Sequence, residues 1–123
     1  MKSASCKAKG RRAAKEVKAA MLARFKMLKD DDINVTSSGT TGEDLTLSPR
    51  ARAFIDLSPE VKNQESLNIW AALAQAESNA GEHTPVVFFR RNKSKMYAAL
   101  AADDLLDLYV RINELEDELE KAR

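Results

Sequence analysis

Cys6 is the only thiol in the 123-residue chain. No disulfide can therefore close within it, and a reducing cytoplasm suits it. Cys6 itself reads as an inert thiol in a basic tail. No run of about 18 apolar residues occurs, which excludes a helical membrane span. The opening stretch Met1–Cys6 is basic but has no apolar core, so a secretory signal is not expected. The single histidine, His83, stands beside Glu82 with no Cys or second His nearby, which excludes a zinc site built on it. No internal repeat is present.

What is present suits one globular domain. The composition, 44% hydrophobic and 32% charged, is ordinary for a soluble protein, and the length supports one core rather than two. The formal net charge of +1 hides an asymmetry. Residues 1–30 carry ten Lys and Arg against two acids, a net of +8. Residues 31–102 come to −2 and residues 103–123 to −5. A basic front and an acidic tail imply that one end meets a polyanion and the other does not.

Along the chain, residues 1–9 are small and basic, and are expected to be a disordered tail. From about residue 10 to 29, Ala14, Val17, Met21, Phe25 and Leu28 recur at helical spacing. Arg11, Lys15, Lys18, Lys26 and Lys29 fall outside that stripe, giving an amphipathic helix with a basic outer face. Asp30-Asp31-Asp32 reads as a solvated turn. Ile33–Thr36 and Glu43–Leu47 read as strands around a Ser- and Gly-rich loop. Ser48-Pro49 has the form of a helix N-cap with proline in the first turn, and the chain is expected to return as a strand over 54–63. A helix follows over 66–80, with Trp70 counted among its core residues and Glu65 as its cap. Thr84–Phe89 reads as a buried strand, residues 90–95 as a basic connection, and 96–100 as a fifth strand.

Residues 103–122 read as a helix with a heptad. Leu105, Ile112 and Leu119 fall at a; Leu108, Leu115 and Ala122 fall at d. The flanking positions pair Arg111 with Glu116 and Glu118 with Arg123, which are complementary in a parallel two-stranded coil. Such a helix docks either on its own sheet or on a second copy, which makes a homodimer through Leu105, Leu108, Ile112, Leu115 and Leu119 one expectation.

The densest chemistry lies mid-chain. Asp44 is followed sixteen residues later by Glu60-Val61-Lys62. Two carboxylates can hold a hard divalent cation such as Mg²⁺ or Mn²⁺. A lysine beside them can orient a water or neutralise charge developing on a phosphate. Alternate residues of a strand share a face, so Glu60 and Lys62 point one way and Val61 the other, with the Val61 carbonyl as a further candidate ligand. The plainer reading is an ion pair on a strand surface. Pro59, directly before Glu60, donates no ladder hydrogen bond and is expected at an edge or a bulge.

The segment Ser37-Ser38-Gly39-Thr40-Thr41-Gly42-Glu43-Asp44-Leu45, followed by Glu60-Val61-Lys62-Asn63-Gln64-Glu65, resembles the core motif of the PD-(D/E)XK nucleases. Within them it looks like phage-encoded Holliday junction resolvases, over about residues 10–100. The resemblance implies an α/β (α+β) fold: a central mixed five-stranded sheet flanked by helices, forming a nuclease-like domain over 10–102. It implies a Mg²⁺- or Mn²⁺-dependent endonuclease acting on branched DNA in the cytoplasm of a phage-infected bacterium. Asp44, Glu60 and Val61 would bind metal and Lys62 would act at the phosphate, with Glu16 and Gln75 completing the site. Arg11, Arg12, Lys15, Ser37, Ser38, Thr41, Asn63, Arg90, Arg91, Lys93 and Lys95 would contact DNA. A nicking or flap endonuclease and a non-catalytic DNA-binding protein on the same fold remain alternatives.

Overall fold

The computed structural model describes residues 4–36 and 44–123 and, within the first helix, side chains from residue 8 onward. Ser37, Ser38 and Thr41 therefore lie outside the described residues.

Helix α1 spans Ala4–Arg24. It thus begins inside the stretch expected to be a tail, because Ala, Lys and Arg are among the strongest helix formers and fill Ala4–Lys18. Its buried stripe is Ala13, Ala14, Val17 and Met21, at the three- and four-residue spacing of one helix face. The helix stops at Arg24, and a turn closed by Leu28 N–H on the Phe25 carbonyl (3.0 Å) brings Leu28 back into the same core.

The three aspartates that follow do more than turn the chain. Asp30–Asp32 form one 3₁₀ turn in which Asp32 is buried. Its carboxylate accepts from Lys29 N–H (2.8 Å) and from the Ser48 hydroxyl (2.7 Å). Those two bonds, the backbone one first, hold its pKa below the usual carboxylate range. The turn leads into a hairpin of β1 (Ile33–Val35) and β2 (Leu45–Leu47), antiparallel with Ile33 opposite Leu47.

Ser48 caps helix α2 (Pro49–Phe54) by accepting from Ala51 N–H at 3.0 Å, as Ser-Pro predicts. This short helix occupies the first residue of the expected third strand, which starts instead as β3 at Leu57 and runs to Asn63. Helix α3 (Ile69–Asn79) is capped by Asn68, whose side chain accepts from Ala71 N–H. Glu65 instead accepts from Asn92 N–H. Gly81 after α3 takes the left-handed backbone (φ +58°) that ends a helix cheaply. Strand β4 (Thr84–Arg90) then pairs parallel with β3, the arrangement that requires a helical crossover such as α3. Strand β5 (Tyr97–Ala99) returns antiparallel to β4, and α4 (Ala102–Lys121) closes the chain.

The fold is α+β, with four helices and two sheets of two and three strands in the orders β1-β2 and β3-β4-β5. It has no single five-stranded sheet, and the reason lies at the seam between β2 and β3. Asp44 N–H donates to the Pro59 carbonyl at 3.2 Å, but proline has no N–H to return. The next outward-facing amide on β3, Val61 N–H, is taken by the Asp44 side chain at 2.6 Å rather than by a β2 carbonyl. The Asp44 carbonyl itself accepts from the Thr36 amide and hydroxyl. Among the described residues the ladder goes no further, and Pro59 sits on the edge strand where its missing donor is tolerated.

Apolar packing bridges what the ladder does not. Leu45, Leu47 and Val61 join α1, Leu28, Ile33, Ala51 and Ile55 in one core cluster. A second cluster holds Ala72 and Ala76 of α3 against Val87, with Leu73 and Phe89 at its margin. Among the described residues no helix is long and apolar enough to cross a membrane.

Ser48 ties the 3₁₀ turn to α2 through two side-chain hydrogen bonds. Ser48→Ala is expected to lower stability by about 1–2 kcal/mol, measured as a drop in denaturant midpoint with an unchanged slope.

Candidate active site

Strand β3 lies between the two clusters, and its alternation assigns each side chain to one of them. Val61 pairs with Phe88, and both belong to the α1 cluster. Glu60 pairs with Val87 and Lys62 with Phe89, and both partners belong to the α3 cluster. Paired residues of neighbouring strands share a face. Glu60 and Lys62 thus point to the α3 side and Val61 to the α1 side. Ser58, on the Glu60 side, confirms the parity by donating its hydroxyl to the Asn79 carbonyl at the end of α3 (3.5 Å).

The β2-facing edge of β3 carries the other half of the arrangement. The Pro59 carbonyl and the Val61 N–H both meet Asp44. In a strand the N–H and C=O of one residue point the same way, so the Val61 carbonyl also opens toward Asp44 rather than toward β4. The Asp44 carboxylate, the neighbouring Glu60 carboxylate and the Val61 carbonyl thereby gather at the β2-facing edge of β3. The Lys62 ammonium lies 3.6 Å from Glu60 Oε1.

Glu60 is 2% exposed, and its Oε2 has no hydrogen-bond partner. Burial pushes its pKa up to about 7, and the charge of Asp44 and a hydrogen bond shared with that carboxyl add to the rise. The Lys62 ammonium and a hydrogen bond with the Asn79 side chain oppose it. A buried carboxylate oxygen without a partner is costly unless a proton or a cation meets it. Two carboxylates with an open carbonyl suit Mg²⁺ or Mn²⁺, which take one or two carboxylates and fill the remaining positions with water or phosphate oxygens. Asp44, Glu60 and Val61 therefore fit such an ion. Among the described residues no third His, Cys, Asp or Glu joins them.

The other sequence-derived residues are distributed unevenly. Glu16 sits on α1, across the sheet from Glu60, and its carboxylate is held by Arg90 at 2.5 Å. The sheet separates it from the carboxylate pair. Gln75 is exposed on α3, and the residue that reaches Glu60 is Asn79. Asn79 was legible in principle, since it lies four residues after Gln75 on the same helix face. Asn63, on the α1 side beside Arg90, buries an unpartnered Oδ1. Trp70 is 78% exposed, not core, because the buried stripe of α3 runs through Ala72 and Ala76 and leaves position 70 on the far side.

Arg11, Arg12 and Lys15 are exposed on α1. Arg91, Lys93 and Lys95 are exposed on the β4–β5 turn, which Ser94 N–H closes on the Arg91 carbonyl while Lys93 holds a left-handed backbone (φ 64°). Where β3 and β4 end, a cleft of about 340 Å³ is lined by Gln64, Phe89, Arg90, Arg91 and Tyr97 among others. Gln64 continues the parity of Glu60 and Lys62, so the cleft extends the face that carries them.

Compared with known protein families, with curated proteins and with solved structures, the chain matches none.

The raised pKa of Glu60 has a definite sign in the folding equilibrium. Between about pH 4.5 and 7 the folded protein keeps a proton that the unfolded chain has released. Stability therefore falls as pH rises through that window, by at most about 3 kcal/mol. Glu60→Gln is expected to be more stable than wild type at pH 8 in the absence of divalent metal, and no more stable than wild type at pH 4. Denaturant melts at the two pH values check this.

Proposed function

We propose that the protein is a metal-dependent endonuclease that hydrolyses DNA phosphodiesters, with branched DNA such as a four-way junction as its substrate. The observation that carries this reading is the buried, partnerless Glu60 oxygen next to Asp44 at the β2-facing edge of β3, with Lys62 on the same face. A structural carboxylate would have its oxygens satisfied; one left bare, with a lysine at hand, suits a cation and a phosphate.

A bound Mg²⁺ or Mn²⁺ would polarise the scissile phosphate and lower the pKa of a bound water. Asp44 is pre-positioned for such an ion because Val61 N–H holds one of its oxygens at 2.6 Å. Glu60 keeps a buried Oε2 without a partner while its Oε1 lies near Lys62. The Lys62 ammonium offsets the two carboxylates in the resting protein and is placed to meet charge developing on a phosphate oxygen. Asn79, hydrogen-bonded to Glu60, fixes the rotamer of that side chain. Arg91 at the cleft, with Lys93 and Lys95 on the adjoining turn, supplies positive charge along the route a DNA backbone would take. These groups address phosphates and not base edges, so preference would rest on DNA shape. A junction needs two incisions, which calls for two such sites in one assembly.

The test is cleavage of a labelled synthetic four-way junction, beside linear duplex, nicked, flap and single-stranded controls, with Mg²⁺, Mn²⁺ or EDTA. Junction-selective cutting is expected, lost with EDTA and with Glu60→Gln, and reduced about 100-fold in kcat by Lys62→Met. Selective cutting of the flap or nicked substrate would keep the chemistry and replace the substrate. Junction binding without cutting under any metal would overturn the enzymatic reading in favour of a DNA-binding protein.

A further inference from the structure

Helix α4 is twenty residues long, about 30 Å, and not one of its residues is buried. Eight large apolar side chains on it are 43–60% exposed. Helical stability in water comes chiefly from packing an apolar face, and among the described residues nothing buries that of α4. The exposed apolar residues are not scattered. Leu105, Leu108, Ile112, Leu115 and Leu119 follow the alternating three- and four-residue steps of a heptad seam. Every one of them is exposed on this helix.

The flanking charges say what covers that seam. In a parallel, in-register pair of α4 helices, each g position faces the e position five residues later on the partner. Arg111 then meets Glu116 of the partner subunit, and Glu118 meets Arg123 of the partner subunit, each pair occurring twice by symmetry. All four contacts are attractive. An antiparallel pair with the same seam brings Arg111 opposite Glu118 of the partner subunit and leaves Tyr109 and Glu116 facing each other, so only two contacts attract. Apart from those four rim residues, residues 103–123 carry six acids against one base. That excess of like charge makes the outer face a poor partner for further helices and limits assembly to two.

We propose that a second copy of this chain covers α4, forming a parallel two-stranded coiled coil with Leu105, Ile112 and Leu119 at a and Leu108 and Leu115 at d. The coil sets both α+β domains at the same end of the pair. This supplies the two sites that cutting a junction requires, but the interface rests on the helix alone and stands whether or not the protein is a nuclease. About two and a half heptads make a short coil, so the dimer dissociates on dilution.

Sedimentation of the full chain over a concentration series tests the proposal. The expected result is a reversible rise from 13.6 kDa to twice that mass. Because Leu108 and Leu115 are exposed on the single chain, Leu108→Asp with Leu115→Asp should leave the thermal melt of the domain intact while weakening the dimer about 100-fold or more. Leu106→Ser with Val110→Ser, which removes exposed apolar surface outside the seam, should leave dimerisation unchanged. Arg111→Glu should weaken association roughly 5-fold, and adding Glu116→Arg should restore it. Restoration by Glu118→Arg in place of Glu116→Arg would overturn the parallel arrangement. A chain that stays at 13.6 kDa at every concentration, or equal sensitivity to the seam and off-seam substitutions, would overturn the interface itself.

Discussion

The arrangement of the domain depends on one short hydrogen bond, from Val61 N–H to the Asp44 carboxylate. Where two strands would ordinarily continue a ladder, a side chain has replaced a backbone carbonyl. Pro59 makes the replacement possible, because its ring removes the neighbouring donor and ends the ladder there. The consequence is mechanical and chemical together. The hairpin is joined to the three-stranded sheet by Asp44 and by the shared packing of Leu45, Leu47 and Val61. The same bond fixes the Asp44 carboxylate at the β2-facing edge of β3, beside a buried glutamate and the Val61 carbonyl.

That edge is stable because β3 is held on both faces. Val61 anchors it to α1, and Val87 and Phe89 beside it anchor its neighbour to α3. A strand clamped in this way tolerates a buried carboxylate beside another, and burial first, with the repulsion of Asp44 added, is the physical content of Glu60's raised pKa. The unfavourable charge and the proposed cation site are two descriptions of one arrangement. What destabilises the metal-free protein is what would hold a divalent ion.

The two ends of the molecule follow different rules. The domain buries its apolar surface within itself, and its basic groups gather at α1 and at the β4–β5 turn. Helix α4 instead exposes a regular apolar seam and carries most of the acidic excess. Like charge keeps it away from a polyanion, while its seam calls for a partner of its own kind. The basic surface of the domain and the apolar seam of the helix are thus separated along the chain by sign of charge as well as by packing.

Local pattern was enough for much of this. The helical spacing in α1, the Ser48-Pro49 start of α2, the apolar run of β4, the Gly81 stop and the heptad of α4 are each readable from neighbours in sequence, because each depends on backbone preference or on one face of one element. The parity of Glu60 and Lys62 against Val61 follows for the same reason. What sequence could not decide were relations across the fold. Whether the strands merged into one sheet turned on which carbonyl met Val61 N–H. Whether Glu16 joined the carboxylates turned on which face α1 covered, and the sheet came between them. Asn79 rather than Gln75 reached Glu60 because the end of α3 lies beside Ser58 and Glu60, and Trp70 faced out because the buried stripe of α3 runs through Ala72 and Ala76. Asp32 became buried only because Ser48 came to meet it. The sequence by itself determined the elements and the sides their residues take. Tertiary structure decided which sides meet, since contact between distant residues depends on the packing of all the elements at once.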